Sequence, residues 1–197
     1  MSVQKSRIIF LTNNANAFEL FSWISVRTEA YLLSEVLSVE QLARLKPDLI
    51  ISYNYSHIIK EDIIDFMEGN IINLHISYLP WNRGSDPNFW SFVENTPKGV
   101  TIHKVAKGLD TGDIIYQKQL HFEDENETFQ SSYNKLQFEI EKLFKENFDD
   151  IISSNYIAKP QDLSVGSYHL HKQFLEYTRE HDLSWDMRIK DYLSERI

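Results

Sequence analysis

The chain has 197 residues, of which 42% are hydrophobic, 13% aromatic and 25% charged, with only 6 Gly and 5 Pro. That is the composition of a folded domain with one substantial core, and it excludes a disordered, collagen-like or low-complexity polymer. The balance of 20 Lys+Arg against 29 Asp+Glu, a net charge of −9, argues against nucleic acid or an anionic membrane surface as partner, and the absence of Cys removes disulfides, thiolate metal sites and Cys nucleophiles.

Short apolar runs alternate with helical patterns. Arg7 leads into Ile8-Ile9-Phe10-Leu11, a buried strand but far too short for a signal sequence or a membrane span, so the cytoplasm is the expected location. Asn13-Asn14 can cap a helix whose apolar stripe is Phe18, Leu20, Phe21 and Ile24. A weaker strand follows near Ala30 to Leu33, and Ser38 then opens a short amphipathic helix through Leu45 that Pro47 stops. Asp48 to Ser52, Glu61 to Met67 and Ile71 to Ser77 continue as strand, helix and strand. This order predicts an α/β fold: an open, mainly parallel twisted sheet with helices on both faces.

Residues 77 to 98 break the rhythm. Pro80, Gly84, Pro87 and Pro97 punctuate a long loop carrying Trp81, Arg83, Asp86 and Trp90, with one helical turn from Asn88 to Val93. Gly99 to Val105 and Asp113 to Phe122 read as two strands added antiparallel to the sheet. Phe129, Tyr133, Leu136, Ile140, Leu143, Phe144, Phe148 and Ile151 fall at helical spacing and predict one long helix across it. Residues 156–197, with Pro160, Gly166, a His-rich patch and a charged last helix, read as a short C-terminal appendage to a domain spanning 1–155.

In the strand Ile71 to Ser77, Ile72, Leu74 and Ile76 point to one face, and Asn73, His75 and Ser77 to the other. Polar groups at the carboxyl end of a strand in a covered parallel sheet stand where open α/β folds build their sites, although a hydrogen-bonded buried pair would give the same pattern. His103, alternating with Thr101 and Val105, reads as a packed, hydrogen-bonded group. His169 and His171 read as incidental rather than as metal ligands, and no metal is expected.

The elements Asn73-x-His75, Leu79-Pro80-Trp81-Asn82-Arg83-Gly84 and Leu109-Asp110-Thr111-Gly112, in this order and spacing, resemble the formyltransferase family that uses 10-formyltetrahydrofolate. The resemblance covers residues 6 to about 150. Within the family the chain is similar to the stand-alone sugar N-formyltransferases of bacterial surface-sugar pathways, including the pseudaminic acid type, and to the formylation domain of linear gramicidin synthetase. The runs Leu79 to Asn82, Asp86-Pro87 and Thr96 to His103 carry that likeness. Unlike the methionyl-tRNA enzymes, it has too few residues after 155 for a tRNA-binding barrel.

The resemblance implies a Rossmann-like formyltransferase fold and a catalytic Asn-His-Asp set, mapping onto Asn73, His75 and Asp110. It places the folate co-substrate between two loops: Tyr55, Ser56, His57, Ile58 and Ile59, with Ser56 where the family has Gly, and Val105, Ala106, Lys107, Gly108 and Leu109. A Ser at that position would strain a positive φ. Asn13, Asn14, Trp81, Arg83 and Trp90 are the candidate acceptor contacts. The chemistry suits those side chains: a neutral amine attacks the formyl carbon, an oxyanion needs a hydrogen-bond donor such as Asn73, and His75 and Asp110 can move protons. The expected activity is transfer of the formyl group to the amine of a nucleotide-linked deoxyamino sugar. An aminoacyl group on a carrier protein, hydrolysis of formyltetrahydrofolate and a non-catalytic folate- or sugar-binding module are the alternatives. The expected partners are small molecules, and apolar residues late in the chain leave room for a homodimer.

Overall fold

The computed structural model describes residues 5–123, 125–179 and 183–194; the ends of both expected segments, 1–4 and 195–197, lie outside the described residues. In chain order the elements are β1 (Arg7–Leu11), a 3-10 turn (Ala15–Ala17), α1 (Phe18–Ser25), β2 (Glu29–Leu33), α2 (Val39–Leu45), β3 (Leu49–Tyr53), α3 (Glu61–Phe66), β4 (Ile71–His75), β5 (Arg83–Gly84) and α4 (Pro87–Val93). They continue as β6 (Lys98–Lys104), β7 (Ile114–Leu120), α5 (Phe129–Glu146), α6 (Phe148–Ile152), β8 (Tyr168–His169), α7 (His171–Arg179) and α8 (Ile189–Ser194).

Six strands form one sheet in the order β2-β1-β3-β4-β6-β7, parallel from β2 to β4, with β6 and β7 antiparallel as expected. The period of two along β1 shows why helices cover both faces. Ile8 and Phe10 join Leu20, Ile24, Leu136, Ile140 and Phe144 on one side, whereas Ile9 and Leu11 join Leu42, Ile63 and Met67 on the other. Ser38 and Gln41 close a reciprocal capping box at the start of α2. From β1 the chain moves outward to β2 and then returns to the other side of β1 for β3, so the order reverses between β1 and β3. Open sheets place ligands outside the carboxyl ends of the strands at such a reversal.

Two expected elements differ. The strand expected over Ile71 to Ser77 ends at His75, because Ser77 turns away to donate to the Trp81 carbonyl ahead of the cis Leu79–Pro80 bond. The single helix expected through Ile151 is two helices. Asn147, at φ −113 and ψ 16, breaks it and spends its side chain on the Leu143 carbonyl.

The residues beyond 155 are joined to the rest by backbone pairing. Ile114 and Lys159 exchange hydrogen bonds, and β8 pairs with β5 in a second, two-stranded sheet. Ile189 and Tyr192 of the charged last helix are buried with Phe89, Trp90 and Phe129, a third apolar cluster lying between α4, the start of α5 and α8.

Candidate active site

Asn73 and His75 leave β4 on the same face, and the antiparallel neighbour β6 sets His103 directly across from Asn73. Opposite His103, β7 carries one extra residue, Ile115, where its pairing with β6 shifts between Ile102 and His103. Asp110 arrives from the turn between β6 and β7, itself in the left-handed region at φ 49. The four side chains meet. Asp110 Oδ2 lies 3.7 Å from His75 Nε2, and Asp110 Oδ1 lies 3.5 Å from His103 Nε2 and 3.3 Å from Asn73 Nδ2. Asn73 Nδ2 is also 3.3 Å from His103 Nε2. His103 Nδ1 faces the Lys104 carbonyl at 2.8 Å, so a neutral ring carries its proton there and leaves Nε2 to accept from Asn73.

Burial is the largest influence on His75 and lowers its pKa; the Asp110 charge opposes this and His103 reinforces it, and the net direction is down. His75 is therefore a neutral imidazole near pH 7. For Asp110 burial alone would favour the protonated acid, but the His75 and His103 rings and the Gly84 N–H outweigh it and hold the carboxyl well below the usual carboxylate range. Among these partners the Gly84 N–H, donating to Asp110 Oδ2 at 2.8 Å, acts in every protonation state of the rings. Only glycine fits there: φ is +88, and a Cβ would collide with the His169 carbonyl oxygen and lie 2.7 Å from Leu109.

The cluster lies in a cavity of about 1050 Å³ at the carboxyl ends of β3 and β4. Both loops named from the sequence line it: residues 55–59 form one stretch of wall and residues 105–109 another. Ser56 is not strained. The left-handed residue of that loop is Asn54, at φ 50, so the hydroxymethyl group replaces glycine where backbone freedom is not needed. The remaining lining includes Gly84, Asp86, Asn88, Tyr133, His171 and Trp185. Asp86 pairs with His171 Nδ1 at 2.8 Å, joining the start of α4 to the start of α7.

The family model for formyl transferase matches residues 11–147. The chain belongs to the formyl transferase family. It is 39% identical to the formyltransferase PseJ from Anoxybacillus kamchatkensis, solved in complex with UDP-4,6-dideoxy-4-formamido-L-AltNAc and tetrahydrofolate; the match covers 95% of this chain and 97% of that one, with a TM-score of 0.85. A sugar N-formyltransferase from Shewanella, 21% identical with a TM-score of 0.73 over 92% of this chain and 82% of that one, shares the fold. The methionyl-tRNA formyltransferase of Bacillus velezensis is 33% identical over 131 residues, 66% of this chain but 41% of the relative, so the chain spans about two fifths of that enzyme's length.

In this formyl transferase five residues expected at the acceptor lie outside the cavity lining. Trp90 is 6% exposed and stacks on His169 with ring centroids 4.1 Å apart, because the third apolar cluster claims its surface. Trp81 gives its carbonyl to Ser77, and Arg83 lies over the Tyr168 ring at 5.8 Å with its backbone N–H on the Ser167 carbonyl. Asn14 caps the 3-10 turn and donates to the Tyr133 hydroxyl, one bond behind the wall. Asn13 holds Ser56 N at 2.9 Å and the Ser34 carbonyl at 2.8 Å, tying loops together.

Sequence reasoning read His103 as a packed, hydrogen-bonded group and His169 and His171 as incidental, and it named neither Gln161 nor Ser167. His103 was a packed histidine by its alternation alone; only the β4–β6 register turns it toward Asn73. Behind the cluster, Gln161 donates to the carbonyls of Asp110 and Gly112, at 2.9 and 2.6 Å. Ser167 brackets Asn82, whose carbonyl lies 3.4 Å from His75 Nε2. No group that could hold a metal ion occurs among the described residues, and none of their helices is long and apolar enough to cross a membrane.

Proposed function

We propose that this protein is an N-formyltransferase that moves a formyl group from 10-formyltetrahydrofolate to the amino group of a nucleotide-linked deoxyamino sugar. One observation carries the reading: Asn73, His75 and Asp110 converge in a single large cavity whose walls include both expected folate loops, in a chain alike over nearly its whole length to a sugar formyltransferase. Ile58, 85% exposed, and Leu109, 41% exposed, contribute one apolar side chain from each loop, which suits a flat heterocycle lying between them. The folate supplies an activated formyl carbon whose oxygen becomes negative on attack.

The chain's own groups fit that event. Asn73 makes two long contacts of 3.3 Å, so it can exchange Asp110 for the developing oxyanion at little cost. Neutral His75 accepts a proton from the amine as it attacks, ionised Asp110 steadies the resulting imidazolium across 3.7 Å, and the proton passes to folate N10 as the bond from the formyl carbon to that nitrogen breaks, releasing tetrahydrofolate and the formamide. Gly84 and Gln161 keep that carboxylate aimed while the charge moves. The acceptor enters from the side of Asp86, Asn88, Tyr133, His171 and Trp185. This is direct transfer, with no covalent enzyme intermediate.

Incubation with 10-formyltetrahydrofolate, with and without a UDP-linked amino sugar, tests the reading. Loss of donor only when the sugar is present, with a formamido sugar recovered, is the expected result. Sugar-independent loss would make the protein a hydrolase, and no loss with any amino sugar would make it a binding module.

A further inference from the structure

The inference deepens the folate reading and concerns what holds the first wall in shape. That wall begins at Asn54, a residue with a side chain in the left-handed region, at φ 50. Its amide is paired with the amide of Gln137 on α5. Asn54 Nδ2 donates to Gln137 Oε1 at 3.1 Å, and Gln137 Nε2 lies 3.4 Å from Asn54 Oδ1. The Tyr53 hydroxyl, from the last residue of β3, donates to the same Gln137 oxygen. Gln137 is only 7% exposed. A buried amide is costly unless its atoms are bonded, and α5 already packs Leu136, Ile140 and Phe144 against the sheet, so packing does not call for an amide at 137. What the amide reaches is the end of β3, the first residue of the wall and the Tyr133 hydroxyl. The loop is gripped elsewhere by Asn13, whose backbone N–H donates to the Asn54 carbonyl at 3.1 Å and whose Oδ1 accepts from Ser56 N.

We propose that Gln137 is a positioning residue for the formyl donor: its amide pair with Asn54 fixes the left-handed turn from which the 55–59 wall grows, so the wall is shaped before folate arrives. Gln137 lies outside the cavity lining and acts through Asn54, which belongs to it. A preorganised wall spares the ordering cost of binding, so its loss shows in donor affinity rather than in the chemical step.

Gln137→Met keeps the length of the side chain and removes its polar atoms, whereas Asn54→Gly keeps access to positive φ and removes the partner amide. The measurements are tetrahydrofolate Kd by calorimetry, KM for donor and for the UDP-linked amino sugar, kcat, and amide hydrogen exchange over residues 54–59 without ligand. For Gln137→Met we expect folate Kd and donor KM to rise about tenfold, the sugar KM to rise clearly less because Gln137 meets Tyr133 as well, kcat to stay within about twofold, and exchange at 54–59 to quicken. The double variant should bind folate no worse than the poorer single one, since both changes remove one pair. Gln137→Glu, which keeps the oxygen that Tyr53 and Asn54 share, should recover part of the affinity.

Unchanged folate Kd in Gln137→Met overturns the proposal. So does a parallel loss of sugar KM, kcat and melting temperature, the signature of a merely structural role. If Gln137→Met does not fold, Asn54→Gly carries the same expectation for folate Kd and exchange. Hydrogen exchange is independent of what the cavity binds. A wild-type protein that binds no tetrahydrofolate brings down the folate reading, whereas unchanged exchange at 54–59 in the variant brings down the positioning role alone.

Discussion

The two sides of the cavity are held by different means. Residues 54–59 grow from the carboxyl end of β3, a fully buried strand, and lean on the loop after β1 and on α5, all parts of the layered sheet. Residues 82–88 hold only the two-residue β5 and the first two residues of α4. Their shape depends on a two-residue strand paired with another two-residue strand, on Ser167 at Asn82, and on His171 at Asp86, contacts made 85 positions away along the chain. The first wall inherits its position from many small terms, whereas the second rests on a few specific contacts. Within the walls themselves, Gly84 of the second should therefore tolerate substitution less than Ser56 of the first.

The cluster where the two sides meet sets the upper limit. Asn73→Ala, His75→Ala and Asp110→Asn should each lower kcat/KM by roughly a hundredfold to a thousandfold with the fold retained by circular dichroism; near-normal turnover in all three would remove the proposed chemistry. Next comes Gly84→Ala, on the weaker wall. Its Cβ meets the His169 carbonyl and displaces the N–H from Asp110, so activity should fall at least about tenfold and stability by about 1–3 kcal/mol together, read from kcat and a denaturant titration. A tolerant Gly84→Ala would show that this wall adjusts as easily as the other.

His171→Ala and Asp86→Asn break the pair that closes the second wall at its rim. The expected result is a rise of about three- to tenfold in sugar KM with donor KM unchanged, since the exposed pair holds a shape rather than a reacting atom. Equal effects on both substrates would dissolve the assignment of one side to each. Ser56→Gly is the smallest. Because Ser56 does not take a positive φ, restoring the glycine typical of the family should change donor KM by less than about twofold in steady-state assays.

Protonation separates the two halves of the cluster as well. His75 sits below the ordinary imidazole value, so the acid limb of kcat/KM should fall below about pH 6.5. Removing the Asp110 charge takes away the influence that raises it, and the His75 titration followed by NMR in Asp110→Asn should move lower still. The same shift makes acid destabilising: the unfolded chain takes up this proton near pH 6.5 while the folded chain resists it, so stability declines as pH drops from about 6.5 toward the folded value.

Strand alternation and loop punctuation were enough to reach Asn73, His75 and the antiparallel β6–β7 pair, because a period of two and a broken β-α rhythm are local properties of the chain; the two loops expected to hold folate came only from the likeness to the formyltransferase family. The broken helix at Asn147 was not legible, since apolar spacing continues through it and only the Asn147 side chain shows the break. Trp81, Arg83 and Trp90 drew attention as polar or aromatic groups in a loop beside the site, yet Trp90 is claimed by apolar contacts with the tail.

By itself the sequence determined the layered sheet, the edge at which a site would form and the residue types able to transfer an acyl group. The tertiary structure decided that His103 lies beside Asn73, that Asn13 and Gln137 bond to the loop after β3, and that residues 161–171 brace the Asp110 turn, Asn82 beside His75, and Asp86. The division has a physical cause. Hydrophobic periodicity is written residue by residue along the chain, whereas a single hydrogen bond between distant segments leaves no periodic trace and exists only once the register of the strands between them is set.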